Sequence, residues 1–339
     1  MKFVCFGEIL ARFNPTGYGR FVQAHEMEVS YGGGEANVAV SLANFGKEAA
    51  VVTKLPANDL TKTALRALKA HDVDVSNVVF GGDRMGIYFI EKGAAQRPSK
   101  VIYDRKYSSI SMAQKEDFDW KTIFADAEWF HFTGITPALS DSCAEICLDA
   151  CRTAKELGVT VSCDINFRKN LWSSEKANQI MSTLMPYVDV AIANEEDCEK
   201  VFGIKAENSD VTDGTLPVDG YCEVARQLSE KFNIPTVAIS LRESHSASDN
   251  DLSAMLYNHG EYFVSKKYPI HIVDRVGSGD SFGGGLIWAL SEGMDNQSAI
   301  EFAVASAALK HTIENDFNEV TVAEVKALMS GDGSGRVQR

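Results

Sequence analysis

Residues 274–285 read DRVGSGDSFGGG, with five glycines set around Asp280. Glycine allows left-handed backbone angles and lets a ligand approach the main chain, at an entropic cost. So dense a run is either a turn or a place where something negative meets backbone N–H groups. The next stretch, FGGGLIWALSEG from 282 to 293, is apolar with helix-like spacing. The glycines therefore open a helix, and a helix N-terminus attracts anions. An acid at such a point is either a capping residue or a chemical group beside a bound phosphate.

Outward from this stretch, short β-rich runs alternate with helical patterns almost throughout. Strands are expected at KFVCFGE, AAVVTKL, EWFHFTG, VTVSCDIN, VDVAIAN and TVAISLRE, and helices at LTKTALRALKAH, SCAEICLDACRTAKELG and GYCEVARQLSEKF. The alternation predicts an α/β fold, a mostly parallel central sheet with helices on both faces. Nearly continuous apolar runs suit strands buried on both sides. Two regions break the rhythm, 11–31 and 84–107. The second reads as a hairpin, and together they predict a small antiparallel lid over the sheet edge. No repeat or low-complexity linker divides the chain. Residues 1–330 read as a single domain and 331–339, GDGSGRVQR, as a mobile tail.

Composition narrows the function. The chain has 339 residues, 45% of them hydrophobic, and a formal net charge of −14. That charge argues against non-specific binding to nucleic acid or anionic membranes, both of which want a basic face. No apolar run reaches transmembrane length, and the opening MKFVCFGEIL is too short and too acidic for a signal peptide. The seven cysteines are scattered without a C-x-x-C pair, which reads as reduced cytoplasmic thiols. Cys143, Cys147 and Cys151 recur at helical spacing and read as a core stripe. None of the seven histidines suggests a role.

In an open α/β sheet, ligands bind beyond the carboxyl ends of the strands. Those ends carry Glu8, Asp164, Asn166, Arg168, Asn194, Glu195, Glu196, Asp197, Ser240, Arg242 and Glu243. Acids beside an anion site can hold magnesium, and magnesium accompanies phosphates. The glycine run has no G-K-[ST], so it is not a Walker-type loop. A dinucleotide fingerprint would follow the first strand, which carries only Gly7. The remaining option is a phosphate-binding helix start with an acid built into it, an arrangement that suits phosphoryl transfer to a hydroxyl.

GGGEANVAVSLANFG at 32–46, followed much later by DRVGSGDSFGGGL, resembles the paired signatures of the ribokinase-like (PfkB) carbohydrate kinases. Arg275 and Ser278 depart from the usual D-T-x-G-A-G-D at its Thr and Ala positions. The resemblance implies that Asp280 is the general base toward the sugar hydroxyl. The N–H groups of Gly277, Ser278 and Gly279 would form the anion hole for the transferring phosphoryl. Gly33, Gly34 and Asn37 would touch the sugar. Ser240 and Arg242 would contact the nucleotide together with Gly277 and Gly279. Asn194, with Glu196 or Asp197, would order Mg2+ through water; an acidic helix N-terminus is the competing explanation.

Within the family, QRPSKVIYDR, DINFRKNLW and GSGRVQR look most like 2-keto-3-deoxygluconate kinases, although fructokinases share part of the second motif. The resemblance puts Arg105 and Arg168 near the sugar, where two planar guanidiniums favour a carboxylate over a neutral ketose. Tyr88 and Tyr103 would line the hydroxyl side. The bland alternative pairs Arg105 with surface acids and Arg168 with Asp164. The expected reaction is ATP-dependent phosphorylation of the terminal hydroxyl of 2-keto-3-deoxygluconate, with Mg2+. A fructokinase is the nearest rival, and a non-catalytic sugar sensor or a dehydrogenase the rivals of other classes. A homo-oligomer through the lid is also expected.

Overall fold

The computed structural model describes residues 2–205 and 218–331. The first strand shows how the sheet is built. In β1 (Lys2–Phe6) successive side chains point to opposite faces, and both sets are buried. Phe3 and Cys5 join one apolar cluster, while Val4 and Phe6 join another across the sheet. An unbroken apolar run is what a strand covered on both sides requires.

Chain order then gives β2 (Leu10–Asn14), β3 (Glu28–Gly32), α1 (Gly34–Asn44), β4 (Glu48–Leu55), α2 (Asp59–Lys69), β5 (Val78–Phe80), β6 (Gly86–Glu91) and β7 (Lys100–Asp104). The middle of the chain holds α3 (Trp120–Ile123), β8 (Ala127–Thr133), α4 (Ile135–Ala138), α5 (Asp141–Glu156), β9 (Thr160–Asp164), α6 (Ser174–Leu184), β10 (Val190–Ala193) and α7 (Glu195–Phe202). The last part holds α8 (Val218–Phe232), β11 (Thr236–Ser244), β12 (Asp249–Asn258), β13 (Glu261–Val264), β14 (Tyr268–His271), α9 (Ser278–Ser291), α10 (Asn296–Lys310) and α11 (Val322–Met329).

The large sheet runs β13-β12-β11-β10-β9-β8-β1-β4-β5, with β14 also on β12. Pairing is parallel from β5 to β11 and antiparallel beyond. The antiparallel flank of β12, β13 and β14 has no counterpart among the strands expected above. Its outer strands β13 and β14 are short and mostly exposed, without the continuous apolar run of the buried strands. One face is covered by residues of α1, α9, α10 and α11, the other by residues of α5, α6, α7 and α8. Cys143, Cys147 and Cys151 lie buried on the α5 stripe expected of them, the last two within the second core.

A second sheet of four strands, β3-β2-β6-β7, comes from the two regions that broke the rhythm. It is two antiparallel hairpins joined by a parallel β2–β6 pairing. Every residue of its edge strand β7 is exposed. Beyond Gly331 the expected tail lies outside the described residues. No helix among the described residues is long and apolar enough to cross a membrane.

Candidate active site

The glycine stretch does open a helix. Gly277 is the N-cap of α9, with φ of +80°, and a Cβ there would run into the carbonyl of Asp316. Only glycine combines that left-handed backbone with so close an approach. Gly279 differs: its backbone is ordinary, and a Cβ would meet nothing within 4 Å. It faces open space above the helix start. Among the described residues the N–H groups of Gly277 and Gly279 have no protein acceptor. Ser278 is less free than expected, since its N–H lies 3.4 Å from the Arg275 carbonyl.

Asp280 stands in the first turn of α9, half-buried in a cavity of about 360 Å3. Asn37 Nδ2 donates to its Oδ2 at 2.6 Å, which brings the two distant glycine motifs together. Asn37 in turn is held by Gly33, whose N–H donates to Asn37 Oδ1 at 3.3 Å. Gly33 abuts the carbonyl of Glu8 at the end of β1, leaving no room for a side chain. Burial raises the Asp280 pKa to about 6 against the opposing bond from Asn37, and Asp316 and Glu35 add to the rise.

The same cavity gathers Gly33, Gly34, Asn37, Tyr88, Tyr103, Arg105, Arg168, Ser240, Arg242, Asn194 and Asp197, with Asp164 and Asp316. Glu196 lines an adjoining cavity of about 780 Å3 that shares Tyr103, Arg105, Arg168, Asn194 and Asp197 with the first. Arg105 does not pair with a surface acid as the bland alternative had it, whereas the charge of Arg168 does act on Asp164. Arg105 is buried, its Nε 3.4 Å from Glu8 Oε2 and its guanidinium carbon 4.1 Å over the Tyr103 ring. The surface acid Asp104 is taken instead by Arg84. Arg168 is exposed and donates to the Phe167 carbonyl at 3.1 Å. Tyr88 donates its hydroxyl to Asp316 Oδ1 at 2.6 Å, so that hydroxyl is engaged within the protein.

The expected magnesium residues are largely occupied with capping α7. Asn194 Oδ1 accepts from the Asp197 N–H at 2.7 Å, and Asp197 Oδ1 accepts from the Phe167 N–H at 2.9 Å. Burial raises Asp197 to a pKa of about 6. Asp164 and Asn166 line the same cavity. Burial, then Asp197 and Asp280, push the Asp164 carboxyl well above the usual range. Asn166 Oδ1 is buried without a hydrogen-bond partner. Carboxylates repelling one another beside an orphaned amide oxygen are what a divalent cation relieves.

Three residues that matter here carried no recognisable role in the sequence, Arg12, Glu35 and Asp316, and Glu8 reads there only as a polar strand end. Glu35 is buried with Oε1 accepting from the Thr133 N–H and from the hydroxyls of Thr133 and Thr136. Burial raises its pKa. Its place inside GGGEAN was the available signal. Arg12 and Asp316 had none, being 304 positions apart and lying in a lid strand and a loop.

A large, mostly parallel sheet flanked by helices, with a separate small sheet over a polar cavity, defines the ribokinase-like fold. The chain belongs to the pfkB family of carbohydrate kinases, whose family model matches residues 1–316. The 2-dehydro-3-deoxygluconokinase of Thermotoga maritima is 49% identical, with a TM-score of 0.94 and 98% of each chain covered. The 2-dehydro-3-deoxygalactonokinase of Haloferax volcanii is 32% identical over 98% of each chain. The 2-dehydro-3-deoxygluconokinase of Thermoproteus tenax is 26% identical over 93% of this chain and 90% of its own.

Proposed function

We propose that this kinase phosphorylates the terminal hydroxyl of 2-keto-3-deoxygluconate with ATP. The observation that carries the reading is one cavity holding Asp280 at a helix start and two arginines, Arg105 and Arg168. Asp280 accepts the hydroxyl proton as the oxygen attacks the γ-phosphoryl, and Asn37 fixes the orientation of its carboxylate. The N–H groups of Gly277 and Gly279 meet the charge that develops on the transferring group. Ser240 and Arg242 lie on the nucleotide side. Arg105 and Arg168 take the substrate carboxylate, and Tyr103 and Asp316 stand toward its hydroxyls. Asp164 and Asn166 would hold Mg2+, which neutralises phosphate charge when bound. Free thiols, six of the seven buried, suit a cytoplasmic setting. The small sheet acts as a lid, and its exposed edge pairs with a second copy.

One observation favours a second reading. Glu8 already provides Arg105 with a counter-charge, which makes the pocket less positive than two free guanidiniums would and more tolerant of a neutral ketose. A coupled assay with both sugars separates the two. Arg105→Ala and Arg168→Ala should each lose about 1.5–3 kcal/mol in kcat/KM for the sugar acid, as for hydrogen bonds to a charged group. Losses on fructose should be much smaller. Comparing two sugars on one variant cancels any cost of leaving Glu8 unpaired. A wild-type preference for fructose, or equal losses on both, would overturn the sugar-acid reading.

A further inference from the structure

Arg12 lies in the lid strand β2, yet none of its side chain reaches solvent. Its guanidinium forks between two acids of the large domain. One end donates to Asp274 Oδ2, the other to Asp316 Oδ1 at 2.9 Å. The Nε donates to Asn14 Oδ1 at 3.1 Å, which fixes the plane of the fork. The two acids are not remote from the chemistry. Asp274 begins the glycine stretch, and its Oδ1 accepts from the Val276 N–H at 3.1 Å. Asp316 supplies the carbonyl against which Gly277 packs, and its side chain also accepts from Tyr88 of β6. Nearby stand Lys92, 3.8 Å from Asp274, and the buried Lys310, which donates to the Ile313 carbonyl.

We infer that Arg12 is a positioning residue for phosphoryl transfer, clamping the start and the floor of the Gly277 turn to the lid. A buried charge is costly unless it is paired and hydrogen-bonded. Here one guanidinium satisfies two carboxylates and a side-chain amide at once, from a strand that otherwise belongs to the sugar side. The fork therefore ties the height of the anion hole to the position of the lid. Lysine cannot reproduce this, because it offers a point charge and no planar fork. The inference rests on the kinase reading but on no particular sugar.

The test uses the full-length enzyme with whichever sugar the wild type turns over best; no turnover on any sugar would count against the kinase reading, not this one. Arg12→Lys should lower kcat about 10–100-fold, the scale of a misplacement near 1 Å, with KM for sugar and ATP within about threefold. Asp280 is faced by Asn37, Glu35, Asp316, Asp164, Arg168 and Lys310; of these only Asp316 touches position 12, where the positive charge is kept. The acid limb of the kcat profile should therefore stay in place. Asn14→Ala, which removes the Nε acceptor and keeps every charge, should lower kcat in the same sense by several-fold, and it covers the case in which Arg12→Lys fails to fold. A folded Arg12→Lys with wild-type kcat, a loss confined to KM, or a displaced acid limb would each overturn the inference. So would wild-type kcat in Asn14→Ala.

Discussion

A carboxyl with a pKa of about 6 is mostly ionised at pH 7 and mostly protonated at pH 5, which sets two expectations for Asp280. As a base it works only when ionised, so kcat/KM should fall as pH drops through about 6. Asp280→Asn should cut kcat by roughly 10²–10⁴-fold with little change in nucleotide affinity. The second expectation concerns stability. The folded pKa lies above the ordinary 3.8, so the native state binds more protons than the unfolded chain between those values. Stability is therefore lost as pH rises through that window, and the cost is fully present at pH 7. Asp280→Asn should raise the melting temperature at pH 7, and the advantage should vanish near pH 4. A variant that melts lower at both pH values, or keeps wild-type turnover, would contradict this account of the residue.

At the level of elements, the start of α9 separates two glycines that look alike in sequence. Gly277→Ala forces a Cβ against the Asp316 carbonyl at a left-handed position, which should cost about 1 kcal/mol or more of stability as well as activity. At Gly279 a Cβ meets no protein atom within 4 Å, so for Gly279→Val thermal unfolding followed by circular dichroism should change little while turnover collapses. Equal destabilisation of the two would mean the helix start is misread. The start of α7 poses a different choice. Asn194 and Asp197 form a capping box, so Asn194→Ala should cost about 1 kcal/mol. The Mg2+ concentration for half-maximal activity should not move. A several-fold rise would return Asn194 to the metal.

Among the described residues the small sheet ends in an exposed edge strand, β7, on which Val101, Ile102 and Tyr103 are all more than 40% exposed. Unpaired strand edges with apolar side chains attract other strands, and closed dimers are the commonest way to cover them. Light scattering on the wild type should therefore give a mass above that of one chain. Ile102→Asp should shift it toward the monomer. An unchanged mass in the variant, or a monomeric wild type, would remove the lid from the assembly. The substitution lies outside the large sheet, so melting of the main core should be preserved.

Much was legible in the sequence because it is local. Apolar runs of strand length, helical spacing and the glycines around Asp280 act over neighbouring residues, so the parallel sheet, the helix start and the cysteine stripe of α5 could be read directly. The two glycine motifs also implied a shared pocket, through what such motifs do in related kinases. The pairings that give the site its chemistry are another matter. Nothing near Arg12 announces Asp274 or Asp316, and nothing near Glu8 announces Arg105, because an ion pair depends on distance in space and leaves no period in the chain. Capping and metal binding use the same residue types, so the role of Asn194 and Asp197 could not be separated by composition. Tertiary packing alone decided which acids lost their water. That loss of solvent, absent from any linear pattern, raises Asp164, Asp197 and Asp280 together in one cavity.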